Sequence, residues 1–176
     1  MRRRSFLKPN LHIPRVTDLP LQFLKQQGLK TFFVDLDNTL TGWNSMEVTD
    51  EIYNWIENVK TYGFKLLLLS NNSSPRILPV AAALDIPFVA KAGKPRLKAF
   101  KRGAEITGDV MQQTVMIGDQ LFTDIWGGKR AGAYTVLVRP LYRREFWGTR
   151  MARWLEKIVM NGWGDSGFDN KYIKDN

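Results

Sequence analysis

Two carboxylates separated by a single residue, Asp35-Leu36-Asp37, follow directly on the apolar run Thr31-Phe32-Phe33-Val34 and lead into Asn38-Thr39-Leu40. That spacing suits a division of labour on a phosphate ester. The first carboxylate, at a strand end, can attack phosphorus. The second can protonate the departing oxygen and later take a proton from water. An ordinary turn rich in Asp and Asn uses the same residue types for capping. The pair gains meaning only from what stands elsewhere in the chain.

Three further groups carry compatible chemistry. Ser70-Asn71-Asn72-Ser73-Ser74 follows Lys65–Leu69 and precedes a helix start. Its hydroxyls and backbone N–H groups can cradle phosphoryl oxygens, although Ser73 or Ser74 can equally serve as a helix cap. In Ala92-Gly93-Lys94-Pro95-Arg96, a lysine after a strand can neutralise a phosphoryl group and an attacking carboxylate. Lys91 competes with Lys94 for that role, Arg96 suits it less, and a solvated surface lysine is the commoner fate. Gly118-Asp119-Gln120-Leu121-Phe122-Thr123-Asp124 places two carboxylates after a strand and at a helix start, where they are good oxygen ligands for Mg²⁺. Asp124 can instead cap the helix or support the ligands, and these roles can coexist.

The elements that must position these residues follow from the apolar pattern. Thr31–Val34, Lys65–Leu69, Ile86–Val89, Thr114–Ile117 and Ala133–Val138 are short, nearly continuous apolar runs, as in strands buried on both faces of a parallel sheet. Helical spacing fills the gaps over Asp50–Lys60, Ser74–Leu84, Pro95–Ile106 and Thr123–Ala131, with Thr49 or Asp50 capping the first. The expected fold class is α/β: a Rossmann-like, doubly wound open sheet of about five parallel strands with helices on both faces. Asp35, Ser70, Lys94 and Asp119 all stand at the carboxyl ends of the apolar runs, the edge at which open α/β sheets bind ligands.

Composition narrows the chemistry. The chain has no cysteine and one histidine, His12. Disulfides, thiolate nucleophiles and cysteine-ligated zinc are excluded, and histidine triads have almost nothing to work with. The 176 residues carry a formal net charge of +9, which points to anionic partners or to solubility through like-charge repulsion. No apolar run approaches the roughly 20 residues of a membrane span.

Taken in this order, the motifs resemble the haloacid-dehalogenase superfamily: Asp-x-Asp-x-Thr-Leu, then Ser after a hydrophobic strand, then Lys, then Gly-Asp with a second Asp. An acidic Asp37 resembles the phosphatase branch. The resemblance implies roles. Asp35 would be the nucleophile that forms an aspartyl-phosphate, and Asp37 the general acid and base. Ser70 and Lys94 would hold the phosphoryl group, with Asn71 and Thr39 among the substrate-binding residues. Mg²⁺ would be held by Asp35, the Asp37 carbonyl and Asp119, with Asp124 supporting. The stretches Leu40–Tyr62 and Ser74–Val89 leave no room for a cap domain, so an open site is expected.

A closer resemblance runs through Asn10-Leu11 to Pro14, Asp35–Leu40, Ala92–Pro95, Gly118–Asp124, Gly127–Gly132 and Glu145–Arg150. These segments are similar to the YqeG family of capless, subclass IIIA bacterial phosphatases, itself similar to phosphatidylglycerophosphate phosphatases. Gly42-Trp43-Asn44 departs from the family's more usual proline-containing turn. The organisation expected is a single domain over residues 1–176. Its core spans about 28–140, with a basic arm at 1–27, an amphipathic helix at about 143–160 and a tail at 161–176.

In that helix Trp147, Met151, Trp154, Leu155 and Ile158 share one face, apart from Arg150, Arg153 and Lys157. The face suits either the core or an anionic membrane surface. Arg2, Arg3 and Arg4, with Phe6 and Leu7, form a second basic, apolar element. The partner expected is a phosphorylated substrate, an anionic phospholipid. The expected location is cytoplasmic, peripheral at the inner face of the cell membrane. Two readings compete. One is a nucleic-acid end phosphatase, not favoured because no stacking platform of aromatics is evident. The other is a non-catalytic binding module on the same fold.

Overall fold

The computed structural model describes residues 7–141. The readings for Arg2, Arg3, Arg4 and Phe6, for the helix at 143–160 and for the tail lie outside those residues.

Six parallel strands form one sheet: β1 (Leu11–Ile13), β2 (Thr31–Val34), β3 (Lys65–Leu69), β4 (Phe88–Val89), β5 (Thr114–Gly118) and β6 (Tyr134–Val138), in the order β1-β6-β5-β2-β3-β4. Five of them match the apolar runs within two residues. The sixth, β1, has three residues of mixed character and carries no periodic signal. Its place beside β6 is fixed by Asn10, whose Oδ1 accepts from Thr135 N at 3.0 Å and Thr135 Oγ1 at 2.9 Å.

The helices are α1 (Leu21–Gln26), α2 (Asp50–Thr61), α3 (Ser74–Leu84), α4 (Leu97–Thr107) and α5 (Gly127–Ala131). Thr49 caps α2 by accepting from Ile52 N at 3.3 Å. Gly108 and Gly132 close α4 and α5 in the left-handed conformation, at φ 72° and 90°. The expected helix over Thr123–Ala131 is instead a π-helical turn, Leu121–Trp126, running into α5. The short α1 was not expected, because Pro20-Leu21-Gln22-Phe23-Leu24 is too brief for a clear period.

Alternate strand residues face opposite layers. Phe32, Val34, Leu66, Leu68, Val115 and Ile117 pack with α1, α2 and α3. Phe33, Leu67, Leu69 and Met116 pack with Ala99 and Phe100 of α4 on the other face. The sheet is therefore open and doubly wound, and among the described residues no cap domain is inserted. The chain order reverses between β2 and β5, so the strand ends carrying Asp35 and Asp119 lie side by side at the switch point.

The second layer sits close to the sheet. A Cβ at Gly103 on α4 would stand 2.7 Å from the Phe33 ring and 2.9 Å from Leu67. An alanine in a helix normally adds up to about 1 kcal/mol of stability over glycine. Here overpacking against fully buried neighbours outweighs it. Gly103→Ala is expected to lower unfolding stability by about 1–3 kcal/mol, read from the urea midpoint at unchanged m-value.

Candidate active site

The chain leaves β2 at Val34 and turns at once. Leu40 N and Thr41 N bond to Leu36 O at 3.0 and 3.1 Å, and Asn38 N bonds to Thr41 O at 2.8 Å. Asn38 takes a left-handed φ of 58°, which asparagine tolerates better than most side chains. This tight turn brings Asp37 around to the cleft that already holds Asp35. A cleft of about 170 Å³ is lined by Asp35, Asp37, Trp43, Ser70, Asn71, Asn72, Lys94, Gln120 and Thr123.

Lys94 lies at the centre. Its side chain is 2% exposed, and its Nζ donates to Asp35 Oδ1 at 2.8 Å and to Asp124 Oδ1 at 2.6 Å. Lys91 is exposed, with its backbone N donating to Asn72 O at 2.7 Å. Of the two lysines left open by the sequence, Lys94 is the one that reaches the carboxylates. The Asn71 side chain fastens its backbone: Oδ1 accepts from Lys94 N at 2.8 Å and Nδ2 donates to Lys94 O at 3.2 Å. Ser70 Oγ accepts from Asn72 N at 3.2 Å in the same loop.

Asp35, Asp119 and Asp124 are all buried, and each offers a carboxylate oxygen within 4.8 Å of the others. Asp35 and Asp124 share the Lys94 ammonium in a place nearly closed to water, and Asp119 stands beside them. Burial pushes the Asp35 carboxyl up to about 7, with Lys94 opposing and Asp124 and Asp37 adding to the rise. Burial by itself would lower Lys94, but Asp124 and Asp35 outweigh it and hold the ammonium above its ordinary range. This donor set of buried, hard carboxylate oxygens fits a divalent cation such as Mg²⁺.

The two acidic residues after β5 are placed differently. Asp124 is fully buried. Its Oδ1 accepts from Lys94, and its Oδ2 accepts from Gln120 N at 3.1 Å. It is thus held by two donors as well as facing the other carboxylates. Gly118 makes this possible, because a Cβ there would overlap the Asp124 carboxylate.

Asp37 is gripped by Asn72, from the Ser70–Ser74 group, and by Asn44 and Arg76, which the sequence reading did not assign to the site. Its Oδ1 accepts from Arg76 and from Asn44 N, the latter at 3.3 Å, and its Oδ2 accepts from Asn72 Nδ2. Arg76 on α3 also donates to Asn44 Oδ1 at 3.0 Å and Ser45 O at 3.4 Å. The available signal was its place in the first turn of the helix that follows Ser70–Ser74. Trp43, Gln120 and Thr123 also line the cleft and were not singled out as site residues. Thr39 faces a different space, a groove of about 430 Å³ shared with Arg15, Arg139 and Leu141. Its buried hydroxyl has no partner among the described residues.

This arrangement can attack a phosphoryl group with Asp35, neutralise it with Lys94, and exchange a proton through Asp37. Comparison with known proteins agrees. A HAD-hydrolase-like family model matches residues 91–140, and a mitochondrial PGP phosphatase family model matches residues 1–76. A probable phosphatase, YqeG, from Bacillus subtilis is 34% identical over 90% of this chain and 92% of its own length. A chloroplastic/mitochondrial phosphatidylglycerophosphate phosphatase from Arabidopsis thaliana is 29% identical over 98% of this chain, which spans about half (53%) of that protein.

Among solved structures, the cobalt-bound deoxy-D-mannose-octulosonate 8-phosphate phosphatase of Haemophilus influenzae superposes with a TM-score of 0.54. The match is 19% identical and covers 84% of this chain and 96% of that one. This likeness supports the fold.

Two measurements test the electrostatics. Asp35 keeps its proton to about pH 7 in the metal-free fold but releases it near 3.8 when unfolded. The folded state then binds more protons between those values, so this group's stabilisation falls as pH rises from about 4 to 7. In chelator, the melting temperature of Asp35→Asn relative to wild type should therefore rise across that window. The difference between the two proteins removes the contribution of His12, whose lowered pKa gives the opposite slope. Separately, Gly118→Ala should displace the Asp124 carboxylate from Lys94. It should lower phosphatase kcat by roughly a hundredfold, with the circular dichroism spectrum unchanged.

The nearly full-length match to YqeG, carried on an aspartate-and-lysine cleft at the switch point of the expected sheet, makes the chain a member of the YqeG family of haloacid-dehalogenase-type phosphatases, and hence a phosphoric monoester hydrolase.

Proposed function

We propose that the chain is one catalytic domain that hydrolyses the terminal phosphomonoester of phosphatidylglycerophosphate, with Mg²⁺ as cofactor, to leave phosphatidylglycerol. The observation that carries the mechanism is the buried Lys94 ammonium bonded to both Asp35 and Asp124, with Asp37 on the same cleft. Asp35 attacks phosphorus, a new Oδ–P bond forms, and the ester P–O bond breaks. Asp37 hands its proton to the leaving alkoxide. Water then attacks the aspartyl-phosphate, Asp37 takes the water proton, and inorganic phosphate leaves. Lys94, Ser70 and the N–H groups around Asn71 hold the phosphoryl oxygens through both steps.

Asp35, the Asp37 carbonyl and Asp119 would hold Mg²⁺, with Asp124 as support. The ion supplies positive charge that offsets the repulsion between an anionic nucleophile and an anionic phosphate. The lipid substrate is supported by the relatives named as phosphatidylglycerophosphate phosphatases and by a cleft that no cap covers among the described residues, which would admit a headgroup still seated in a membrane. No described helix is long and apolar enough to cross a membrane. We place the enzyme at the inner membrane face as a peripheral protein, held there by its basic arm at 1–27 and its basic, tryptophan-bearing segment at 143–160.

Phosphate release from phosphatidylglycerophosphate in detergent micelles, with and without Mg²⁺, is the test. Wild type should be active only with Mg²⁺, and Asp35→Asn inactive. Asp37→Asn should lose roughly 10²–10⁴-fold in kcat while keeping the fold, read from an unchanged circular dichroism spectrum. Turnover of a soluble phosphomonoester without any of the lipid would retain the mechanism and discard the substrate.

A further inference from the structure

Of the residues that line the cleft, all but one offer a carboxylate, hydroxyl, amide or ammonium group. The exception is Trp43, the single apolar side chain in that lining. Trp43 is 39% exposed, so part of its surface is open to contact. It is also the centre of Gly42-Trp43-Asn44, the stretch that departs from the proline-containing turn of the related family.

The backbone puts Trp43 on the side of the proposed acid. Asp37 bridges to Thr41, and the amide that follows Trp43, Asn44 N, donates to Asp37 Oδ1 at 3.3 Å. The groups proposed to hold the phosphoryl oxygens come from other segments, Ser70 and Asn71 from the loop after β3 and Lys94 from the loop after β4. An acid at Asp37 protonates the departing oxygen, so the carbons attached to that oxygen lie against the neighbours of Asp37 in the cleft. The cleft offers about 170 Å³, the room of roughly six waters. That space takes a phosphoryl group and the first atoms beyond it. The first carbons of the leaving alcohol therefore enter a polar site whose one apolar wall is an indole. Such a wall gains by covering C–H groups and gains nothing from a leaving group too small to reach it.

We propose that Trp43 is the specificity residue for the leaving group, its ring covering the first carbons of the departing alcohol. The enzyme is then selective for phosphomonoesters of carbon-chain alcohols. This rests on the reading of Asp37 as the acid. In the lipid reading the carbons covered are those of the glycerol unit that bears the scissile phosphate.

The test is a series of soluble n-alkyl phosphates, methyl to butyl, assayed with Mg²⁺. Their leaving alcohols are closely similar in acidity, and no membrane is involved. In wild type kcat/KM should rise by roughly twofold per methylene for contact with one wall, and up to roughly fourfold for full burial. From methyl to butyl that is roughly ten- to sixtyfold. Trp43→Ala should flatten the series to within about threefold, and Trp43→Phe, which keeps an aromatic face, should retain most of the slope. A loss of kcat by one common factor along the series reports a disturbed turn or a displaced Asp37 and cancels in the slope.

A flat series in wild type overturns the proposal, and so does a slope in Trp43→Ala equal to that of wild type. If Trp43→Ala gives no cooperative melt, Trp43→Gln and Trp43→Phe decide: the first should flatten the series and the second preserve it, and equal slopes overturn the proposal. The acid is judged separately. Asp37→Asn should lose far more on butyl phosphate than on p-nitrophenyl phosphate, whose departing phenolate needs little help from an acid. Equal loss on both sinks the acid assignment, and the alkyl slopes then judge Trp43 alone. A slope that depends on Trp43 in an enzyme that ignores phosphatidylglycerophosphate supports the role of Trp43 and discards the lipid.

Discussion

An ammonium group removed from water has to be compensated where it stands, and much of this molecule is arranged around one. Lys94 Nζ sits between Asp35 and Asp124, both within 2.8 Å, with its side chain almost wholly enclosed. Breaking such a buried pair by removing one partner commonly costs about 3–5 kcal/mol, because the remaining charge is stranded. The surroundings all serve to hold this contact. Asn71 clamps the Lys94 backbone from the loop after β3. The Gln120 amide fixes Asp124 from the other side, and Gly118 leaves the space that the carboxylate fills. Burial lifts the Asp35 pKa, with Asp124 and Asp37 adding to the rise, and the gathered oxygens of Asp35, Asp119 and Asp124 suit a divalent cation.

The two carboxylates of the Asp35-Leu36-Asp37 motif live in different surroundings for a mechanical reason. Asp35 still belongs to the sheet edge, where its backbone N bonds to Ile117 O at 2.9 Å. Asp37 is carried on a tight turn away from the sheet, and is steadied by Asn72, Arg76 and Asn44 rather than by the lysine. One carboxylate is fixed by the most rigid part of the fold, and the other by side chains that approach from a loop and a helix start. In the proposed mechanism a nucleophile at Asp35 would have to hold its line of attack, whereas an acid and base at Asp37 would serve first a leaving group and then a water. This difference in support suits that division of work.

With no cap domain among the described residues, the walls of the cleft come from the motif loops themselves. Trp43 lines it from the turn after β2, and Gln120 and Thr123 line it from the π-helical turn after β5. Gly42 and Ser45, neighbours of Trp43, face the larger groove that also holds Thr39 and Arg139. The turn over residues 42–45 thus separates the chemical cleft from a second, wider space at the same sheet edge. Arg76 pins that partition.

Much of this was legible in the chain alone. Runs such as Thr31–Val34 and Thr114–Ile117 declare buried parallel strands, since both faces must be apolar. Polar residues at the ends of those runs then mark the edge where ligands bind, which located Asp35, Ser70, Lys94 and Asp119 on one side of one sheet. The motif order was enough to indicate the family and the class of reaction. What sequence could not decide were matters of distance between segments far apart in the chain. β1 has too few residues to show a period, and its pairing depends on Asn10 meeting Thr135. Lys91 and Lys94 are three residues apart and chemically equivalent on paper. Only the packed loop shows that one points to solvent while the other lies between two aspartates. Arg76 carries no motif of its own, and Asn72 belongs to the Ser70–Ser74 group without any sign that it would reach Asp37. Both meet Asp37 only when α3 and the loop before it are laid beside the turn after β2. Local pattern determines which elements form and which ends bear reactive groups, because periodicity and strand ends are properties of short stretches. Which side chains meet depends on the sheet order β1-β6-β5-β2-β3-β4, and that order is settled by the packing of the whole core.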